Sequence, residues 1–122
     1  MSTVRERLSE TRMSMTRKFS LPRPDGDAPF KIYATVGLYE DGRPGEIFFT
    51  ADRPGSLERG LLNALGIAIS IGLQHGVSLS TFTKQLRGMR FEPAGFTGDP
   101  ELPSCSSILD CVARWLEKKF GA

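Results

Sequence analysis

The stretch from Leu61 to Leu73 is apolar on nearly every side of the helix it would form. This feature constrains the chain most, because a helix of that kind must be covered by a core or by lipid. Lipid is excluded by length: about 20 apolar residues are needed to span a bilayer, and Asn63, Gly66, Ser70 and Gly72 interrupt this shorter run. The expectation is a central helix from Leu57 to about His75, covered by a sheet on one side and by helices on another. Ala64, Gly66, Ala68 and Gly72 would let neighbouring backbones come close. Ser56 suits the N-cap and Gly76 the C′ position. His75, the only histidine, is placed to satisfy carbonyls at the helix end.

A sheet is signalled just upstream. Phe30, Ile32, Ala34, Val36 and Leu38 alternate with more polar neighbours, as a half-buried strand requires. Glu40–Gly45, with Asp41-Gly42 at its centre, turns the chain, and Glu46–Ala51 returns beside it as a hairpin. Arg17–Leu21 alternates as a short strand, followed by a turn cluster at Pro22–Asp27. Arg53-Pro54-Gly55 breaks the hairpin from the central helix. A second helix follows Ser78, with Leu79, Phe82, Leu86 and Met89 on one stripe. A third starts near Ser106 or Ser107, where Ser107-x-x-Asp110 matches a capping box. Ile108, Val112, Leu116 and Phe120 recur every four residues along it, and Lys118 and Lys119 suit its C-terminal dipole. The fold class expected is α+β: a small antiparallel sheet, made of the hairpin and a short N-terminal strand, packed on a buried central helix with two further helices.

The 122 residues fit one hydrophobic core, and 39% hydrophobic with 25% charged is ordinary globular composition. The net charge of +2 is unevenly spread. Residues 1–24 hold six basic and two acidic side chains, the remainder ten and twelve. A basic flexible arm, residues 1–15, is therefore expected before a single domain, residues 16–122. Cys105 and Cys111 are six apart. On one helix that places them about 120° from superposition, so free thiols are expected in a reducing cytoplasm.

The sequence offers no complete catalytic constellation. A single histidine cannot build a histidine metal cluster, and neither G-x-G-x-x-G nor a Walker sequence is present. No catalytic residue, metal ligand or cofactor is expected. The segment suited to a partner is Arg90–Pro100, which mixes Arg90, Glu92 and Asp99 with Phe91, Phe96 and Thr97 between glycines. Such a loop either binds a protein or nucleotide surface, or is pinned by its aromatics and braced by its charges. With Arg12 and Arg17 of the basic segment, the candidate binding residues are Arg90, Glu92, Phe96, Thr97 and Asp99.

Several ordered blocks together resemble one family. They are Lys18-Phe19, Tyr39–Phe48, Ala68–Val77, Arg90-Phe91-Glu92-Pro93 with Gly95-Phe96-Thr97-Gly98, and Ser107–Asp110 followed by Arg114-Trp115-Leu116. From about Thr11 to Phe120 the chain resembles the TSCPD domain found near the C-terminal end of adenosylcobalamin-dependent (class II) ribonucleotide reductases. There the domain follows a large α/β barrel that binds cobalamin and carries the radical and redox cysteines. The resemblance carries no catalytic or redox role onto Cys105, Cys111 or any other residue here. It implies a free-standing accessory or regulatory domain of deoxynucleotide metabolism, without activity alone, that binds a reductase chain or another protein. The alternatives are a nucleic-acid- or nucleotide-binding module, or a self-associating protein such as a homodimer.

Overall fold

The computed structural model describes residues 4–24, 26, 28–51 and 55–121. The expected breaks at Pro22–Asp27 and at Arg53-Pro54 fall partly or wholly outside them. Chain order is β1 (Ser14–Leu21), β2 (Phe30–Leu38), β3 (Pro44–Ala51), α1 (Leu57–Gln74), α2 (Leu79–Leu86), β4 (Gly95–Phe96), β5 (Ser104–Cys105) and α3 (Ile108–Phe120). The first three strands form an antiparallel sheet in the order β1-β2-β3, and β4 pairs with β5. The α+β class expected from the sequence is the one observed. The residues group into two compact units, one from the described residues up to Arg17 with Tyr33–Leu79, the other from Lys18–Ile32 with Ser80 onward.

From Tyr33 onward the hairpin belongs to the first unit and frames it. Along β2, Phe30, Ile32, Ala34 and Val36 are buried and Tyr33 is exposed, as the alternation requires. The Tyr39 N–H donates to the Arg43 carbonyl at 2.9 Å, and Gly42 adopts φ +90° at the tip. A left-handed position of this kind is open to glycine without a Cβ clash. β1 begins at Ser14, three residues before the strand expected from alternation.

Helix α1 lies along β3 and bonds four of that strand's backbone polar groups. Ser70 Oγ accepts from the Ile47 N–H at 2.9 Å and donates to the Ile47 carbonyl at 3.1 Å. Gln74 Nε2 donates to the Gly45 carbonyl at 2.9 Å, and Arg59 Nη1 to the Ala51 carbonyl at 3.2 Å. Backbone groups that an edge strand would leave open to another chain are thereby engaged. The approach depends on Gly66, where an added Cβ would sit 3.0 Å from the Ile47 carbonyl oxygen. Leu62, Gly66, Ile69, Ser70 and Gln74 form the buried face. On the opposite side Leu57, Leu61, Ile67 and Ile71 are exposed. An apolar pattern states that a surface favours burial, not which element covers it.

The ends of α1 follow the sequence closely. Ser56 accepts from the Arg59 N–H. At the other end, Gly76 (φ +92°) donates to Leu73 and Val77 to Gly72, the paired bonds of a Schellman stop. His75 Nδ1 lies 2.9 Å from the Ile71 carbonyl, in the end-capping position expected for it.

The second unit centres on α3, which buries Ile108, Cys111, Val112, Ala113, Trp115 and Leu116. Phe19 meets Trp115 edge-on at 5.7 Å, a favoured aromatic geometry. Helix α2 stops at Leu86, so Met89 lies beyond it and is exposed.

Candidate binding surface

The loop after α2 is held from within. Asp110, 4% exposed, accepts the Gly88 N–H at 2.8 Å and the Ser106 N–H at 3.0 Å. Burial pushes its carboxyl up, but those two amides and Arg114, at 3.4 Å, outweigh it and hold the pKa below the ordinary value. The Ser107 cap forms as expected, with Oγ accepting the Asp110 N–H at 3.0 Å. The return half of the capping box differs: the Asp110 carboxylate takes the amide of Ser106 rather than that of Ser107.

Within the loop the expected residues divide into two groups. Thr97 and Asp99 bind the loop to itself. Thr97 Oγ1 donates to the Leu102 carbonyl and accepts the Asp99 N–H, while Asp99 Oδ1 accepts the Glu101 N–H at 2.8 Å. Arg90 and Glu92 are exposed, and among the described residues neither side chain makes a hydrogen bond or ion pair. Phe96 is 80% exposed and Phe91 42%, so neither ring is pinned in the core. The frame is therefore made by Thr97, Asp99, Asp110 and the backbone, leaving Arg90, Phe91, Glu92 and Phe96 outward.

The cysteines correct the sequence reading. Cys105 and Cys111 form a disulfide, with Cα atoms 5.4 Å apart. The helical-wheel argument fails because Cys105 lies on β5, before the Ser107 cap, where the extended backbone carries it back over the first turn of α3. That separation is ordinary for a disulfide. Closing so short a loop is worth about 2 kcal/mol. Cys105→Ser, or full reduction, should lower the denaturation free energy by that amount. Identical melting curves with and without dithiothreitol would show that the bond adds nothing.

Arg12 and Arg17 fall in the other unit, so they are described apart from the loop. Residues 4–13, expected as part of a flexible basic arm, make specific bonds. Arg5 Nε donates to Gln74 Oε1 at 2.7 Å, and Tyr39 Oη donates to the Glu6 carbonyl. Arg12 pairs in a fork with Glu46, Nε to Oε2 at 2.5 Å and Nη2 to Oε1 at 3.1 Å. Glu46 is buried over Gly37, where a Cβ would collide with its carboxylate. Arg43 pairs with Asp41 and Glu6 and lies over the Tyr39 ring at 4.6 Å. Hydrogen bonds from Arg43 hold the Asp41 carboxyl below its usual range. Arg17 lies half-buried in β1. Ser9, Thr11, Arg12, Leu38, Tyr39 and Glu40 line an open groove of about 400 Å³. Glu46 and Ser70 escape sequence reasoning, because polar residues inside an apolar run reveal no partner until the fold brings one. Only the glycine at position 37 hints that something lies across it.

The TSCPD domain model matches residues 6–120. This chain belongs to the TSCPD domain family. It is 43% identical over 116 residues to the vitamin B12-dependent ribonucleotide reductase of Rhodopirellula baltica, covering 95% of this chain and 11% of that protein. The reductases of Streptantibioticus cattleyicolor and Agrobacterium fabrum are 38% and 37% identical, over 96% and 98% of this chain and 18% and 9% of theirs. The TSCPD chain thus spans less than a fifth of the length of these curated relatives. No solved structure matches it. Among the described residues, no group of three His, Cys, Asp or Glu side chains could hold a metal, and no helix is long and apolar enough to cross a membrane.

Proposed function

We propose that this TSCPD domain is an accessory or regulatory module of ribonucleotide reduction, acting by binding a reductase chain and without turnover of its own. The observation that carries this reading is the match of nearly the whole chain to one segment of B12-dependent reductases, a segment that makes up only 9–18% of the three proteins compared. The outward set Arg90, Phe91, Glu92 and Phe96 is the contact surface of the proposal. Exposed aromatics and arginine on a fixed frame are the side chains that dominate protein interfaces. Its place is therefore in the supply of deoxynucleotides for DNA replication. A nucleic-acid or nucleotide role is the weaker reading, because Arg5, Arg12 and Arg43 are already engaged by side chains of the same unit.

The test is binding of the purified protein to a purified B12-dependent reductase, measured by calorimetry. Phe96→Ala, and Arg90→Ala with Glu92→Ala, should each weaken binding about tenfold or more while leaving the melting temperature unchanged. Absence of binding at tens of micromolar would sink the proposal. So would ribonucleotide reduction by this protein alone with added adenosylcobalamin and dithiothreitol.

A further inference from the structure

The open face of α1 carries an ordered pattern. Leu57, Leu61, Ala64, Ala68 and Ile71 follow one another at spacings of four, three, four and three, the spacing of a helix–helix seam. All five are exposed, Leu57 at 73% and Leu61 at 61%. Ile67, 51% exposed, flanks them. From Leu61 to Gln74 the helix carries no charged side chain.

The pattern also reads the same in both directions. About a point midway between Ala64 and Ala68, Leu61 is the counterpart of Ile71 and Leu57 of His75. A two-fold interface brings residue i against j and j against i, so a pattern of this symmetry is complementary to itself. We propose that this face of α1 pairs antiparallel with the same face of a second copy, across a two-fold axis between Ala64 and Ala68. The alanines meet at the centre, where small side chains allow close approach of the helices. Leu61 packs on Ile71 of the other copy at each end. Exposed Glu58 is brought to the end of the partner helix that carries a histidine. The two antiparallel helix dipoles are also favourably opposed.

Area sets the strength expected. The exposed parts of Leu57, Leu61, Ile67 and Ile71 amount to roughly 400 Å² per copy, as large as the biggest apolar patch of a typical monomer. Pairing removes about twice that from water, below the ~1,600 Å² of a standard complex. An interface of that size is a weak or transient one. The hairpin is the poorer contact, because α1 engages β3 at the backbone of Gly45, Ile47 and Ala51.

Sedimentation equilibrium of the isolated protein from low to several hundred micromolar tests this apart from any reductase binding. The mass should rise from monomer towards dimer across that range. Leu61→Glu should weaken association at least tenfold while melting like the parent; if it does not fold, Leu57→Glu, at a more exposed position, serves the same purpose. Ile71→Lys alone should also weaken it. An equimolar mixture of Leu61→Glu and Ile71→Lys chains should associate better than either alone, because the introduced carboxylate of one chain then faces the introduced ammonium of the other. A monomer at every concentration would overturn the proposal, and so would a dimer untouched by these charges or a mixture no stronger than its parts.

Discussion

Replacing Ile69 by aspartate is expected to unfold the protein. Ile69 is 3% exposed on the face of α1 that meets β3. Its neighbours on that face fix the approach: Gly66 admits the Ile47 carbonyl, and Ser70 holds the Ile47 backbone at both polar atoms. An aspartate there would be a charge without a partner in a contact too close to admit water. Such a charge costs several kcal/mol, comparable with the ~5–15 kcal/mol that holds a whole domain folded. Circular dichroism should show no cooperative melting for Ile69→Asp. The control lies two residues earlier: Ile67→Asp places the same charge on the open face and should keep the melting curve. If both variants melt within a few degrees of the parent, the packing of α1 on β3 is not what holds this unit together.

The second large effect is expected at Asp110, whose carboxylate is the hub between α2's end and α3's start. It accepts two backbone amides and faces Arg114, with its side chain only 6% exposed. Asp110→Ala would take the acceptor from the Gly88 and Ser106 N–H groups, whose bonds to the carboxylate are part-buried. Hydrogen bonds to charged groups are worth about 1.5–3 kcal/mol each, so a loss of about 3 kcal/mol is expected in urea denaturation. Asn is no remedy, because its NH₂ group would face one of the two donors. The acid dependence carries a defined sign. The folded pKa of Asp110 lies below the unfolded value of about 3.9. Its contribution is therefore complete above that value and is lost as pH falls through the folded pKa. Wild-type stability should decline as pH is lowered below about 4, and Asp110→Asn should show a flatter profile there. Asp41 is lowered too, but it is exposed beside Arg43 and should contribute little. Parallel wild-type and mutant profiles would remove Asp110 from the account.

The outward loop illustrates how far sequence reasoning reaches. The Arg90–Pro100 segment is legible as a loop, since its glycines and prolines admit little else. Which side chains frame it and which face out is not legible. Thr97 and Asp99 have the same polar character as Arg90 and Glu92, yet the first two close the loop's own hydrogen bonds while the others remain exposed. The assignment depends on where Leu102 and Pro103 return, a distance the intervening residues alone do not set.

By itself the sequence determined the local elements and their punctuation. Period-two alternation specified β2, Asp41-Gly42 the hairpin tip, Ser56 and Gly76 the limits of α1, and Ser107 the start of α3, because each is decided by the backbone within a few residues. Its ordered motif blocks also pointed to the family. Tertiary structure alone decided which face of α1 is covered, that Ser70 and Gln74 serve β3, that Glu46 takes Arg12, and that Cys105 reaches Cys111. Each of these joins groups whose meeting depends on the path of the backbone. A helical wheel separates two cysteines that a strand before the helix cap brings together, and an apolar stripe demands cover without naming what provides it.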